Sequence, residues 1–398
     1  MAPAPAEPPA PDASQARSAL DADPPGEAET GAGAEARAAG AGAGTGAGTG
    51  GRLGGGAQGI DVRRTTAWFA GNVPQAPPPL DFQVIAGGRS NLTYLVRDAG
   101  GGAWVLRRPP LSGVLPSAHD MGREHRIISA LRGTPVPVPE AIGLCEDPAV
   151  IGAPFYVMRF VEGLVPRDEA AVRAAFDEPR RATAAESLVE VLVALHEVDP
   201  AAVGLGDLGR RDGYIERQLR RWTRQWEQSK TRELPAMDEA GRRLSERVPA
   251  QQGPGTIVHG DYRLDNLILS PAGEVAAVLD WELCTLGDPL ADVGLLMVYW
   301  SDPGDDVLPL DSTVTALPGF PRGPEIAETY ARGSGRDLSE LDFYVVFGYW
   351  KFAAILEGVY ARSAAGAYGR DDETYRRFAS VVELLAERAL DAITRAGR

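Results

Sequence analysis

Four polar residues lie close together in the segment IVHGDYRLDNLILSPAGEVAAVLDWELC, namely His259, Asp261, Asn266 and Asp280. Asn266 follows Asp261 by five residues on a predicted tight loop, and Asp280 ends the apolar strand EVAAVLD. A loop and a neighbouring strand end can bring these side chains into one small volume. Asp280 and Asn266 offer the hard oxygen ligands that Mg²⁺ prefers. Since Asp261 can accept the proton of a hydroxyl group, the segment suits phosphoryl transfer.

The same residues have a structural interpretation as unrelated turn residues, because Asp and Asn are common in turns. The motif spacing and the flanking apolar strands favour a functional site over that alternative. For His259, a hydrogen-bonded structural role is the stronger interpretation, and the same holds for Asp288 and Asp292. Glu282 is a candidate contact for a second metal ion or for the substrate.

The chain before this segment has a β-rich pattern over residues 60–163. Three short runs, DFQVIA, NLTYLV and AWVLRR, are rich in β-branched and aromatic residues and are separated by Gly-rich breaks. Residues 62–72 suit a short helix, and a second helix is predicted over 118–131. Two further strands are predicted around 140–145 and 155–161. We therefore predict a small antiparallel sheet lobe.

The remaining residues, 164–398, are predicted to form a larger helical lobe, which a β-rich island at 256–280 interrupts. The fold class is therefore α+β with two lobes, and a cleft between two lobes is a natural ligand site. The helical pattern begins at Ala171, with further helices expected at 213–230, 236–247, 323–333, 337–363 and 372–395.

Composition limits the classes of function. Residues 1–59 are mostly Ala, Gly and Pro with acidic residues, and we predict that they form a disordered tail. The net charge of -15 argues against nucleic acid as a partner. No apolar run reaches the roughly 18 residues of a membrane span, so no membrane contact is expected. Cys145 and Cys284 are interpreted as free thiols, which favours a cytoplasmic location.

The motif HGDYRLDN resembles the catalytic loop of the kinase superfamily, in which Asn follows the Asp of H-x-D by five residues. Gly260 and the following LDWELCTLGDPLADVG are similar to the aminoglycoside phosphotransferase family. The segments GGRSNLTYLV, WVLRRPP and LCEDPAVIGAPFYVMRFVEG resemble, more narrowly, the kinase-like domains associated with acyl-CoA dehydrogenases. The resemblance covers about residues 60–395 and implies a two-lobed, protein-kinase-like fold.

Carried over by position, the resemblance implies that Asp261 is the catalytic base and that Asn266 and Asp280 are metal ligands. His259 is then a scaffold residue, and Asp292 braces the catalytic loop from the following helix. The implied cofactors are Mg²⁺ and ATP or GTP.

The Gly-rich break after the first strand is the expected phosphate contact. It contains Gly87, Gly88, Ser90 and Asn91, and such a turn lets backbone N–H groups approach phosphates closely. Taken alone this is a weak signal, because most such turns are only hairpins. The catalytic loop downstream gives it weight.

Arg107 occupies the position at which kinases place a phosphate-binding Lys, and this is a departure from the general pattern. Arg keeps the charge and offers a planar fork to phosphate oxygens. Arg108 is a second candidate, but strand alternation directs it to the other face. Glu124 is the expected ion-pair partner of Arg107, with an ordinary solvated helix charge as the alternative. Phe160 and Val161 belong to the expected hinge, whose backbone would pair with the adenine edge.

The resemblance implies transfer of the γ-phosphate of Mg-ATP to a hydroxyl of a small metabolite, for which a hydroxyacyl substrate is the analogy. The basic ending AITRAGR disfavours aminoglycosides, because the resembled resistance enzymes use an acidic C-terminal end. Aromatic residues are candidate walls of the acceptor site, although helix packing is the stronger interpretation for each: Trp222, Trp226, Trp300, Tyr349 and Trp350.

Three alternatives stay open. The Arg at position 107 is compatible with a nucleotide-binding pseudokinase that regulates an acyl-CoA dehydrogenase partner. An aminoglycoside-type antibiotic kinase is the second alternative. A protein kinase is the weakest, because GDPLAD follows Asp280 too soon to leave room for a long activation segment.

Overall fold

The computed structural model describes residues 57–86, 91–111, 120–305, 313–364 and 373–396. The predicted tail lies outside these ranges up to residue 56, and so do the predicted phosphate contacts Gly87, Gly88 and Ser90. The described chain forms an N-terminal sheet lobe and a larger helical lobe, which confirms the predicted α+β architecture.

The N-terminal lobe contains one five-stranded antiparallel sheet with the strand order β1-β2-β3-β5-β4. The predicted elements are all present, and their ends move by at most three residues. The elements are α1 (Val62–Asn72), β1 (Asp81–Ala86), β2 (Leu92–Arg97), β3 (Ala103–Arg108), α2 (Met121–Leu131), β4 (Ala141–Cys145) and β5 (Phe155–Arg159).

One face of the sheet packs under α1 in a hydrophobic core of its own. Tyr94, Trp104 and Leu106 are fully buried there with Phe69 of α1. Each such aromatic or aliphatic side chain stabilises the fold by about 1.5–3 kcal/mol. Because side chains alternate along a strand, this packing turns Arg107 to the opposite face, toward the helical lobe.

The helical lobe is built around α9, a long helix that packs against α5, α6, α7 and α10. Its elements are α3 (Glu169–Ala175), α4 (Glu178–Glu197), α5 (Tyr214–Ser229), α6 (Pro235–Glu246), α7 (Pro289–Tyr299), α8 (Gly323–Ser334), α9 (Leu341–Ala364) and α10 (Glu373–Ala396).

The β-rich island is longer than predicted. Two antiparallel pairs form, and the second member of the outer pair lies beyond residue 280, because the chain returns to pair Thr285 with Val258. This return closes the β-rich island at its base. The strands are β6 (Thr256–Val258), β7 (Leu267–Leu269), β8 (Val275–Val278) and β9 (Thr285–Gly287).

The connection between the lobes runs over residues 160–163. The strand β5 ends at Arg159, two residues earlier than predicted. Gly163 has a φ of 153°, and a Cβ there would lie 2.4 Å from the carbonyl oxygen of Leu269. This close approach lets Leu164 exchange two backbone hydrogen bonds with Leu269, of 2.9 and 2.8 Å. The hinge is thereby attached to β7 of the β-rich island.

Candidate functional site

The loop after β6 brings Asp261 and Asn266 into direct contact. The Nδ2 atom of Asn266 donates to the backbone oxygen and to Oδ2 of Asp261, both at 2.9 Å. Both residues are about 95% buried, with exposures of 4% and 5%. The amide therefore orients the carboxylate and leaves its own Oδ1 as the atom able to ligate a cation.

Asp280 reaches the same region through the end of β8. The backbone N–H of Leu279 donates to the carbonyl oxygen of Asn266 at 2.8 Å. Nε2 of His259 lies 2.9 Å from the carbonyl oxygen of Leu279, which attaches the strand end to the loop. Asp280 has a φ of 65°, and among the described residues no other non-glycine has a positive φ. Such conformations persist where the surroundings impose them, commonly at functional sites.

Asp292, at the start of α7, braces the loop. Its Oδ2 accepts from the backbone N–H of His259 at 2.6 Å, and its Oδ1 accepts from that of Gly260 at 2.8 Å. Gly260 has a φ of 79°, and a Cβ there would lie 2.7 Å from the carbonyl oxygen of Leu283. A side chain at position 260 would thus disrupt the contact between the loop and the segment after Asp280.

Two residues that the sequence did not indicate support Asp292. Nε2 of His196 lies 3.3 Å from Oδ2 of Asp292, and its Nδ1 lies 2.7 Å from the hydroxyl of Tyr330. Burial acts to raise the pKa of Asp292, but the hydrogen bond and charge of His196 and the contacts of His259 outweigh it and lower that pKa. Both supports come from distant helices, α4 and α8, so no local motif could reveal them.

Arg107 bridges the two lobes. Its Nε lies 2.9 Å from Oε2 of Glu124 on α2, and its Nη2 lies 2.6 Å from Oδ1 of Asp280. Oε2 of Glu282 is more distant, at 3.9 Å. Burial opposes the charge of Arg107, but the nearby carboxylates outweigh it, and its pKa is raised well above the usual range. The expected pair with Glu124 is therefore present, and a second carboxylate joins it.

Glu124 is held by neutral donors as well as by Arg107. Nδ2 of Asn91 donates to its Oε1 at 2.8 Å, and the hydroxyl of Tyr156 donates to its Oε2 at 3.0 Å. Burial raises the pKa of Glu124, against the lowering effect of these partners. Tyr156 pairs directly with Arg107 across β3 and β5, a register that the sequence alone does not provide. Oδ1 of Asn91 is buried with no partner in the described part of the chain.

Arg108 points to the other face, as strand alternation predicts. Its guanidinium donates to the carbonyl oxygens of Gly59 and Ile151, the second at 3.0 Å. It therefore ties the start of the described chain to the sheet and takes no part in the cleft.

The hinge offers fewer backbone groups than expected. The N–H of Phe160 already donates to the carbonyl oxygen of Ala103 at 3.2 Å. No partner of the N–H of Val161 occurs within the described ranges. The backbone of Val161 and the carbonyl of Phe160 thus stay the candidates for pairing with a base.

The oxygen donors suit magnesium rather than a metal held by protein alone. Within the described ranges, no cluster of three or more His, Cys, Asp or Glu side chains could hold a metal ion. Mg²⁺ is usually held by one or two protein oxygens together with phosphates and water. Asn266 and Asp280 supply a donor set of that kind.

Most of the candidate wall aromatics pack inside the helical lobe. The indole N–H groups of Trp226, Trp300 and Trp350 donate to Asp238 and to the carbonyls of Pro321 and Met237, respectively. All three are buried, so their structural interpretation is the better one.

Cys145 and Cys284 are both buried and free. Every helix in the described ranges is too short or too polar to cross a bilayer.

Comparison with known proteins agrees with this arrangement. The profile of the "Phosphotransferase enzyme family" matches residues 81–344. Acyl-CoA dehydrogenase family member 10 of Mus musculus is 39% identical over 324 residues, which are 80% of this chain and 30% of the mouse protein. The chain spans only 30% to 41% of the length of the first three curated relatives it matches.

Two solved structures share the fold. A provisionally assigned aminoglycoside phosphotransferase from Ralstonia eutropha JMP134 has a TM-score of 0.72 and 32% identity, over 84% of this chain and 99% of that one. The GDP complex of aminoglycoside 2'-phosphotransferase-IIIa has a TM-score of 0.55 and 14% identity, over 82% and 99%. The profile match covers most of the folded chain and the mouse relative is well above 30% identical, so the chain belongs to the phosphotransferase enzyme family.

Proposed function

We propose that this chain transfers the γ-phosphate of Mg-ATP, or of Mg-GTP, to a hydroxyl of a small metabolite. The observation that carries the proposal is the contact between Asp261 and Asn266, with Asp280 joined to the same loop through Leu279. A base and two oxygen ligands for a cation are the parts that phosphoryl transfer needs from a protein. Membership of a phosphotransferase family supports the same chemistry.

In this proposal Asp261 positions the acceptor hydroxyl and takes its proton. The amide of Asn266 fixes the carboxylate, and the brace from Asp292 to the backbone of His259 and Gly260 fixes the loop that carries it. Positioning of this kind supplies much of the rate enhancement in phosphoryl transfer.

The nucleotide is proposed to lie between the lobes with its phosphates near Arg107. The guanidinium is paired with Glu124 of the N-terminal lobe and with Asp280 of the helical lobe, and these two ion pairs orient its remaining N–H groups. Asn266 and Asp280 would hold the magnesium ion, which neutralises phosphate charge when bound. A neighbour of the same fold was solved as a GDP complex, which supports nucleotide binding by this fold.

A hydroxyacyl compound is the proposed acceptor, and an acyl-CoA dehydrogenase the proposed partner. The support is the set of relatives named as acyl-CoA dehydrogenase family members, of which this chain matches only a part. A second candidate function is a nucleotide-binding regulatory module. The ion pair between Arg107 and Asp280 favours this module, because the pair engages a carboxylate that the kinase mechanism assigns to magnesium.

The deciding experiment compares wild type with Asp261→Asn. Mg-ATP is supplied with hydroxyacyl-CoAs, sugars and aminoglycosides, and phosphate transfer is followed by mass spectrometry of the acceptor. We expect transfer to a hydroxyacyl compound and a loss of about 10³-fold in the variant, the size expected for a general base. Nucleotide affinity, measured by calorimetry, should be retained because Asp261 is proposed to contact the acceptor hydroxyl and not the nucleotide phosphates.

The matched control is Asp199→Asn, an exposed substitution of the same type beyond α4 that should keep full activity. Nucleotide binding without transfer to any acceptor by wild type would favour the regulatory module. Failure to bind nucleotide at all would reject both functions.

A further inference from the structure

Lys351 on α9 is a cation that forms no ion pair within the described residues. Its Nζ lies 5.7 Å from the ring centre of Trp222, and the guanidinium of Arg221 lies 4.9 Å from the same ring. No carboxylate in the described ranges pairs with its ammonium group, although the residue is only partly exposed. Two positive side chains therefore flank one buried indole.

This part of α9 lies beside the catalytic loop. Phe352, the next residue, packs edge-on against Tyr299 with ring centres 5.5 Å apart. The guanidinium of Arg263, two residues after Asp261, lies over Tyr299 at 4.0 Å. The contacts lead from the turn of α9 that carries Lys351 to the residue proposed as the base. They place this turn of α9 beside the loop that carries Asp261.

The contacts of Lys351 within the described residues include no oxygen partner for the ammonium group. An ammonium has three N–H donors, and an indole face accepts none of them as a carboxylate or phosphate oxygen does. Burial, followed by repulsion from Arg221, lowers the pKa of Lys351 to about 8, against a smaller raising effect of Asp292. Trp222 is itself satisfied, because its Nε1 donates to Gln218 at 3.0 Å. An oxygen anion beside Nζ would remove the imbalance.

We propose that Lys351, with Arg221 beside it, binds an anionic group of the acceptor and so determines specificity for a negatively charged substrate. This inference rests on the proposed phosphotransferase function, which it extends to the charge of the acceptor. A carboxylate and a phosphate share the required chemistry. A polycationic acceptor would be repelled by the same pair, which gives the site discrimination in both directions.

The test measures affinity, so it does not depend on phosphate transfer. Two matched pairs of hydroxyl compounds are titrated by calorimetry in the presence of magnesium and a non-hydrolysable ATP analogue. The carboxylate pair is 3-hydroxybutyrate and 3-hydroxybutyramide, and the phosphate pair is the 3-hydroxybutyryl thioester of phosphopantetheine and that of pantetheine. We expect the charged member of one pair to bind at least tenfold more tightly to wild type, and the pair concerned identifies the anion.

Lys351→Met should abolish that preference, and Lys351→Arg should restore most of it, while the affinity for the ATP analogue changes less than twofold. Lys230→Met is the matched control, since Lys230 pairs with Glu227 outside the proposed site, and it should keep the full preference. If Lys351→Met does not fold, as judged by its Tm, Lys351→Gln takes its place. Equal binding within both pairs by wild type, or a preference that survives in the variant, would overturn the proposal. Loss of phosphate transfer with an intact Lys351-dependent preference would count against the proposed reaction only.

Discussion

The β-rich island around Asp261 and the charged cluster around Arg107 are built in opposite ways. In the island, backbone N–H groups and one buried carboxylate fix the loop, and all partners come from the helical lobe. The Arg107 cluster joins side chains from both lobes, and it leaves Oδ1 of Asn91 without a partner in the described residues. The hydrogen bonds that fix the loop are all made within this structure, whereas the Arg107 cluster still has a polar atom that could bind a further partner.

This difference indicates which part of the site is preorganised. A backbone-anchored loop keeps its geometry whether or not a ligand is bound, which is what a positioned base requires. A cluster of charged side chains spanning two lobes can exchange partners when phosphates arrive. The comparison predicts that changes in the island disturb folding and catalysis together, whereas changes in the cluster act first on nucleotide affinity.

The largest effect on stability is expected from Asp292→Asn. The amide can accept through one oxygen only, so it places an NH₂ group against a backbone N–H that the carboxylate now satisfies. Leaving one buried donor unpaired and losing a charged hydrogen bond should cost about 3 kcal/mol. Urea unfolding at neutral pH measures this loss, and phosphate transfer should fall with it.

The pH dependence of this effect has a defined sign. The pKa of Asp292 is lowered in the folded protein, so its contribution is complete above the ordinary carboxyl pKa and disappears as the pH falls through the folded value. The stability gap between wild type and Asp292→Asn should therefore be constant from about pH 6 to 8 and narrow below about pH 4.

Asp288→Asn is the matched control on the same helix. Asp288 caps the start of α7, accepts from Leu290 and from Tyr344, and has a pKa that burial raises. Asn is nearly as good a helix cap as Asp, so we expect a smaller loss, about 1 kcal/mol. Equal losses in Asp292→Asn and Asp288→Asn would show that the brace on the loop has no special role.

Arg107→Lys should act mainly on the nucleotide. A Lys ammonium keeps the charge but lacks the planar fork that contacts Glu124 and Asp280 together. We expect the Kd of Mg-ATP to rise about tenfold, equivalent to about 1.4 kcal/mol. Calorimetric titration measures it, with the thermal midpoint recorded for both proteins.

Arg108→Lys provides the comparison, because Arg108 donates to carbonyls on the opposite face of the sheet. That variant should lose stability and keep its nucleotide affinity. A higher Kd of Mg-ATP in Arg108→Lys together with an unchanged Kd in Arg107→Lys would show that Arg108, not Arg107, faces the nucleotide.

Most of the fold could be predicted because the signals are local. The β-branched and aromatic residues of AWVLRR and its neighbours, with Gly-rich breaks between them, suffice for β1, β2 and β3, and helical periodicity suffices for the long helices. The end of the island could not be predicted, since β9 forms only through pairing with β6. Pairing between distant segments leaves no periodicity in the sequence of either one.

The candidate site also contains some residues that a local motif marks and others that only tertiary packing brings in. Asp261, Asn266 and Asp280 could be selected because they lie within twenty residues and match a known spacing. The residues that support Asp292 and Glu124 come from distant elements and have no motif: His196, Tyr330 and Tyr156. Each is identified by a contact that depends on tertiary packing, so the sequence indicates the candidate reacting groups better than the groups that would position them.

The smallest of these effects, and the sharpest probe of the cluster, is Tyr156→Phe. It removes one hydrogen bond of 3.0 Å to Glu124, which should cost about 1 kcal/mol in urea unfolding. Tyr94→Phe is the control in the same lobe, since its hydroxyl donates to the neutral carbonyl of Gln58 at 2.5 Å. Both variants should lose similar stability, but only Tyr156→Phe should change the affinity for the nucleotide.

That last difference should appear as a pH effect. Burial raises the pKa of Glu124, and the hydroxyl of Tyr156 counteracts this. Without the hydroxyl, Glu124 takes up a proton at a higher pH and releases Arg107 from its ion pair. The Kd of Mg-ATP should therefore begin to rise at a higher pH in Tyr156→Phe than in wild type or Tyr94→Phe as the solution is acidified. Superimposable pH profiles for all three proteins would mean that the Glu124–Arg107 pair does not set nucleotide affinity, and that the cluster is as fixed as the catalytic loop.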